Sequence, residues 1–464
     1  MQRNPKLTKD YPFDYGYTWA PAVADDLPLA QMMVTPAKPG SGFTAREKVI
    51  NTHKFLQKTA LGQKITYNAL RGDLTKIGVP ADKIKFPGIE ALDESDFCLY
   101  NQADVAMVSK TGKAIRDKVR AHSYVIQDSG GFQLVSGVCD FIDPHDVAKK
   151  HTLYADSGVS LDLPVSGVPD KTFALATAKM LAANTKIILE DVASDVKIMN
   201  VCHGATLDIR NAYLDIVTKE PAHSLCIAGL RRAAVHNGDT FDRTSPTAFA
   251  SHILLAMLKT GKLYQHYHVL GVATHWQMAL MSLAAAVHQK IVTSDSASHS
   301  LSAKSGLLLY YQGDYSVTLQ GREANVYHTA YCSCPMCHSV RDHLWYKIGP
   351  HWMSMIHNVY ALLRNAKVFN EVAKTAVAKN YDAPHTVKEF LRNIPDLHHK
   401  HHNSFLRAVS MIYKTTKVSE LKALPEDPKT NTLFAAQAAK TSVVPPRMLG
   451  ILHAYEKFHK KKWL

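Results

Sequence analysis

Six times between residues 120 and 296, a short apolar run stops at a polar or glycine-bearing turn. The runs are "SYVIQDSGG", "GVSLDLPVSG", "VKIMNVCHG", "HSLCIAGL", "YHVLGVAT" and "KIVTSDSAS". Stretches able to form helices lie between them, among them "PDKTFALATAKMLAANTK", "TSPTAFASHILLAMLKTG" and "THWQMALMSLAAAVHQ". Two successive strands joined through a helix must run parallel, because only a long crossover returns the chain to the same edge of the sheet. Polar residues gather at the C-terminal ends of the runs. The pattern therefore predicts an α/β fold, an irregular TIM-like (β/α)8 barrel with its active site at that end. A doubly wound open sheet is the competing arrangement, but no G-x-G-x-x-G opens a helix to favour it. Two barrel strands are missing from the count. One is expected before residue 120 and one beyond the cysteine cluster described below.

The flanks read differently. Residues up to about Gly42 are rich in Pro and turn formers and look irregular, and "TAREKVINTHKFLQKTAL" after them has helical spacing. The expected organisation is a lead-in with the first barrel elements over 1–119 and a catalytic core over 120–305. A zinc-binding subdomain with closing helices follows over 306–384, then a basic helical extension over 385–464. The third unit opens with a hairpin-like segment, "GLLLYYQGDYSVTLQGREANVY", and continues into the helical "HWMSMIHNVYALLRNAKVFNEV". The last carries 14 Lys and Arg against 6 Asp and Glu and reads equally as a nucleic-acid-facing module or a solvated helical cap.

Charge and cysteine usage narrow the function. The chain has 54 Lys and Arg against 40 Asp and Glu, a net +14, which suits a polyanion such as nucleic acid. Its longest apolar runs, such as "MALMSLAAAV", are about half of what crosses a bilayer. The N-terminus has no apolar signal core, so no membrane is expected and the cytoplasm is the expected compartment. Cys332, Cys334 and Cys337 form C-x-C-x-x-C, and His357 follows on a helical pattern. Three thiolates and one imidazole make the closed tetrahedral set of a structural Zn2+. His338 and His343 are nearer candidates for the fourth ligand, and the run "HHKHH" at 398–402 is a second metal tract or a solvated strip.

Two carboxylates stand at strand ends. Asp128 is followed by Ser129, Gly130, Gly131 and Phe132, and Asp295 sits among Ser and Ala in "SDSAS". Paired carboxylates at a glycosidic bond divide the work, one attacking the anomeric carbon and the other moving a proton on the leaving group.

These residues resemble the tRNA-guanine transglycosylase superfamily. "QDSGGFQ" is similar to that family's active-site signature, C-x-C-x-x-C with a distant His to its zinc site, and "SDSAS" to the archaeal nucleophile segment. The resemblance runs from about residue 120 to about 365. It implies that Asp295 is the nucleophile, forming a covalent glycosyl-enzyme at C1′, and that Asp128 is the general acid/base. It also implies that Asp162 in "LDLPVSG" reads the Watson–Crick edge of the base. Ser129, Gly229 and Leu230 are further base contacts on this reading. Gly130 and Gly131 let backbone approach substrate, and Phe132 packs beside the base or in the core. His203-Gly204 stands where the family has Gln-Gly, which implies altered base selectivity or proton handling.

No anticodon-reading arginine loop follows the nucleophile, and neither end of the chain resembles the tRNA enzymes. The likeness is therefore greatest to the divergent phage and bacterial branch that inserts 7-deazaguanines, such as preQ0, into DNA. That branch implies protection of a genome from restriction. Arg231 and Arg232, near the expected barrel mouth, and the basic stretch 110–122 are phosphate-gripping candidates. A homodimer, or a helper protein that opens the duplex, is a further expected partner. The alternatives are a tRNA-guanine transglycosylase, a base-excising relative, and a non-catalytic zinc-stabilised nucleic-acid-binding subunit.

Overall fold

The computed structural model describes residues 15–23, 105–108, 124–165, 170–230, 246–296, 298, 307–309, 318–320, 351–392, 402–422 and 444–464. Eight strands pair in parallel and in chain order. They are β1 (Gly16–Val23), β2 (Val105–Val108), β3 (Tyr124–Gln127), β4 (Ser157–Val159), β5 (Lys197–Cys202), β6 (Ser224–Ile227), β7 (His266–Val269) and β8 (Ile291–Ser296). β1 also pairs with β8, from Gly16 beside Ile291 to Pro21 beside Ser296, and this closes the sheet.

The six runs singled out in the sequence each meet one of the strands β3 to β8, although β4 overlaps its run only at Gly158 and Val159. The two missing strands both lie before residue 120, and none of the eight lies beyond the cysteine cluster. β1 falls inside the stretch read as irregular. Its sequence "GYTWAPAV" carries a Gly and a Pro, the residues that usually interrupt a strand. Burial between β2 and β8 decides the conformation here, and propensity loses.

Helices cover the barrel. α1 (Gly131–Ser136) and α2 (Pro144–Tyr154) follow β3, and α3 (Lys171–Asp191), α4 (Leu207–Val217), α5 (Pro246–Thr260) and α6 (His275–His288) each follow the next strand in turn. Several entries are capped as their sequences dictate. The side chains of Asp143, Asp170 and Thr206 accept from backbone amides of the first turns of α2, α3 and α4. Connections after β1 and β2, including the helix expected near residues 44–61, lie outside the described residues.

β9 (Leu307–Leu309) and β10 (Thr318–Gln320) form the expected antiparallel pair. α7 (His351–Ala378) packs against α6 and β1, closing the ring between β8 and β1. There Asn370 Oδ1 accepts from the Tyr17 amide at 3.0 Å. α8 (Ala383–Leu391) spans the boundary expected at residue 385, and α9 (His402–Lys414) packs on α5 through Thr247 and Ser404. α10 (Val418–Lys422) follows. α11 (Pro446–His459) lies against α3 and the segment after α1. Among the described residues, no helix is long and apolar enough to cross a membrane.

Candidate active site

Strand alternation delivers the candidate residues. In β3, Gln127 turns outward to His151 Nδ1 (3.0 Å), whose Nε2 lies 3.0 Å from the Val159 carbonyl oxygen and ties the ends of β3 and β4 together. The next residue, Asp128, therefore faces the barrel mouth. In β8, Ser294 turns outward, bonding Tyr17 Oη and the Val272 carbonyl at 2.8 Å each. Thr293 and Asp295 share the opposite, interior face.

Asp128 is half-buried. Burial, then the charges of Asp162 and Asp295, push its pKa up to about 7, against the lowering effect of the Gly130 and Ser129 amides. Gly130 takes φ 91°, a left-handed conformation that starts α1 immediately after the carboxylate. Gly131 is needed for a different reason. A Cβ there would lie 2.5 Å from the Asp162 carbonyl oxygen and collide with its carboxylate. The second glycine of "DSGG" thus lets α1 rest on Asp162. Ser129 Oγ is buried and has no hydrogen-bond partner among the described residues.

Asp162 and His203 are both buried and meet at 2.7 Å, Nε2 to Oδ2. His203 also packs edge-on against Tyr213, with ring centroids 5.8 Å apart. So the His that stands where Gln was expected is a direct partner of the base-reading candidate. Beneath them Arg210 is completely buried. It donates to the carbonyls of Ala228 (2.8 Å), Cys202 (3.2 Å) and Gly204 (3.4 Å), and from Nε to His252 Nδ1 (2.9 Å). It thereby fastens the C-terminal ends of β5 and β6.

Asp295 is 9% exposed. Its Oδ1 accepts from the Gly271 amide at 2.7 Å and lies 3.3 Å from His268 Nε2. Gly271, at φ 71°, turns that amide toward the carboxylate. Behind His268, Thr293 Oγ1 bridges His268 Nδ1 (2.8 Å) and His266 Nε2 (2.7 Å).

Asp128, Ser129, Gly130, Gly131, Asp162, His203, Gly204 and Asp295 therefore come from β3, β4, β5 and β8 to the C-terminal end of one barrel. The charges of Asp162 and Asp295 both act on Asp128. Phe132 is 69% exposed, which removes the core reading of that aromatic. Gly229 is exposed at the end of β6, and Leu230 beside it is buried. Arg231, Arg232, the 110–122 stretch, Cys332, Cys334, Cys337, His338 and His343 lie outside the described residues. His357 lies on α7, and among the described residues no group of three or more His, Cys, Asp or Glu is placed to hold a metal ion.

His268, Thr293, Gly271 and Arg210 were not anticipated. Two histidines spaced by two in "HYHV" were the available signal, since that spacing puts both on one face of a strand. Compared with models of protein families and with curated proteins, the chain matches none.

Proposed function

We propose that the protein is a base-exchange transglycosylase, a pentosyltransferase that replaces guanine in DNA with a 7-deazaguanine such as preQ0. One observation carries the reading. Two carboxylates at one barrel mouth are held in opposite conditions, Asp128 near neutrality and Asp295 tied to an amide and an imidazole. That is the division of labour a retaining displacement at C1′ requires.

In the first step Asp295 attacks C1′ and the C1′–N9 bond breaks. The electron pair passes to the departing guanine, which takes the Asp128 proton. In the second step the incoming base gives its ring N–H proton to Asp128 and its nitrogen bonds to C1′. The ester bond to Asp295 breaks and its electron pair returns to the carboxylate. No ATP enters. Asp162 accepts from the base's N1–H and exocyclic amine, and the exposed Phe132 ring is available to pack beside it. Because His203 already engages Asp162 Oδ2, base choice depends on both residues.

Cys332, Cys334, Cys337 and His357 form a donor set suited to zinc, which would hold the inserted subdomain together and take no part in the reaction. Arg231, Arg232 and the +14 charge favour a nucleic-acid substrate. The segment "SHSLSAKSG" after Asp295, in place of an arginine-bearing loop that would read an anticodon, favours DNA and a role in restriction evasion, in the cytoplasm of the cell or of the phage's host.

The test is incorporation of radiolabelled guanine into duplex DNA or bulk tRNA, with 7-deazaguanines as competitors. Label in DNA that is lost in Asp295→Ala and Asp128→Asn supports the reading. Label only in tRNA keeps the chemistry and changes the substrate. Guanine release without incorporation identifies base excision, and no reaction with either polymer points to a binding subunit.

A further inference from the structure

We propose that His268 and Thr293 are positioning residues for Asp295, which with the Gly271 amide hold its Oδ1 and leave Oδ2 as the attacking atom. The inference rests on the reading of Asp295 as the nucleophile.

The interior of a parallel barrel is normally filled by Val, Ile and Leu. Here His266, His268 and Thr293 occupy it, each fully buried. Buried polar groups of this kind are costly unless bonded to one another, and the distances show that these are. His266 Nε2, Thr293 Oγ1, His268 Nδ1 and Nε2, and Asp295 Oδ1 form one chain with separations of 2.7, 2.8 and 3.3 Å.

The chain has a direction. An ionised carboxylate only accepts, so His268 Nε2 carries the proton directed at Oδ1. With that proton on Nε2, His268 Nδ1 accepts from the Thr293 hydroxyl, which in turn accepts from His266 Nε2–H. Thr293 thus supports the His268 tautomer that the carboxylate requires and fixes the ring's orientation, as an outer partner does for a metal-bound imidazole. With two donors on Oδ1, the oxygen without those donors is the better nucleophile.

The arrangement acts unequally on the two chemical steps. Hydrogen bonds to Oδ1 stabilise the free carboxylate more than its glycosyl ester, where the charge is gone. They therefore favour the breakdown of the ester, which restores the charge, over its formation. Loss of the His268 donor leaves a carboxylate that still attacks but departs slowly, and the covalent adduct accumulates. A residue that served only to hold the fold would slow both steps together.

The experiment incubates the full-length protein with end-labelled duplex DNA and, in parallel, tRNA. It reads the covalent fraction on denaturing gels and then follows decay of the adduct after guanine is added. His268→Leu and Thr293→Val are compared with wild type, and His268→Gln supplies an amide donor near the position of Nε2. The expected result is a larger adduct fraction and decay slowed about ten-fold in His268→Leu, the loss of one charge-assisted bond. The same trend should be smaller in Thr293→Val, and His268→Gln should lie within about three-fold of wild type. Either of the first two variants suffices if the other does not fold. Formation and decay slowed alike, or both unchanged, would overturn the proposal. Absence of adduct in the wild-type protein with both polymers would instead overturn the nucleophile reading, and this inference with it.

Discussion

Replacing Asp128 by Asn should stabilise the protein by an amount that grows with pH. In the unfolded chain the carboxyl titrates near its ordinary value of 3.8, and in the folded protein at about 7. Between those values the unfolded chain is ionised while the folded one keeps its proton. Wild-type stability therefore falls as pH rises through that window, at about 1.4 kcal/mol per unit, and stops falling above pH 7. From pH 5 to pH 8 the fall is at most about 2.7 kcal/mol, and partial solvent access to Asp128 brings the expectation to about 2 kcal/mol.

Asn carries no charge at either pH, so the variant lacks this loss. An unfolding entropy of about 2.1 cal/mol/K per residue, over the whole chain, converts 1 kcal/mol into about 1 °C. The Tm advantage of Asp128→Asn over wild type should thus widen by about 2 °C between pH 5 and pH 8. Differential scanning fluorimetry at matched ionic strength measures it, with Asp195→Asn as control because Asp195 is exposed. An advantage that stays constant, or narrows as pH rises, would refute the argument that burial and like charge hold Asp128 protonated.

Gly131→Ala should displace Asp162 and cost about 2 kcal/mol in thermal stability, with base exchange lost. Phe132→Ala should leave stability unchanged to within about 0.5 kcal/mol, because the ring is exposed, yet reduce incorporation of labelled guanine. Arg447→Met removes donors 2.9 Å from the carbonyls of Leu134 and Cys139 and from Asp140 Oδ1. Limited proteolysis should then cut the 134–142 segment faster than in wild type, with about 1–2 kcal/mol of stability lost. Elemental analysis should find one zinc per chain, and a chelator should lower Tm without changing the chemistry of any residual turnover.

The barrel was legible wherever a strand and its helix each kept their own period, which is why β3 to β8 were all found. β1 was not, because Gly16 and Pro21 give "GYTWAPAV" the look of a loop, and β2 is four residues without a turn signal that sets it apart. Asp128 and Asp295 could be read from chemistry at strand ends, since a carboxylate that closes an apolar run is unusual. The role of Gly131 could not. The sequence says that a side chain is absent, but only the structure says that Asp162 fills the space. The His268–Thr293–His266 chain stayed hidden because its members come from two strands, and register between strands is a tertiary fact. The basic tail was ambiguous for a similar reason. Arg447 and Tyr455 of α11 bond the segment after α1, with Tyr455 Oη donating to the Ile142 carbonyl at 2.7 Å. Nothing in the tail's composition indicates that contact.

The three carboxylates also bear on how the two chemical steps are coupled. Asp162 and Asp295 both raise the proton affinity of Asp128. On the proposed mechanism, formation of the ester removes the charge of Asp295 just as Asp128 loses its proton to the leaving base. Two negative charges stand at the mouth before the step, on Asp162 and Asp295, and two stand there after it, on Asp162 and Asp128. The cluster's net charge is unchanged, so the surrounding dipoles need little reorganisation. Asp128 becomes a better acid at the moment its proton is needed, because the charge that held the proton is being consumed. The second displacement runs the exchange in reverse, with the returning charge on Asp295 raising the affinity of Asp128 for the proton of the incoming base. A neutral residue at position 162 would keep this exchange but weaken the repulsion that sets its level. Asp162→Asn should therefore move the pH dependence of adduct formation to lower pH even where base binding is saturated.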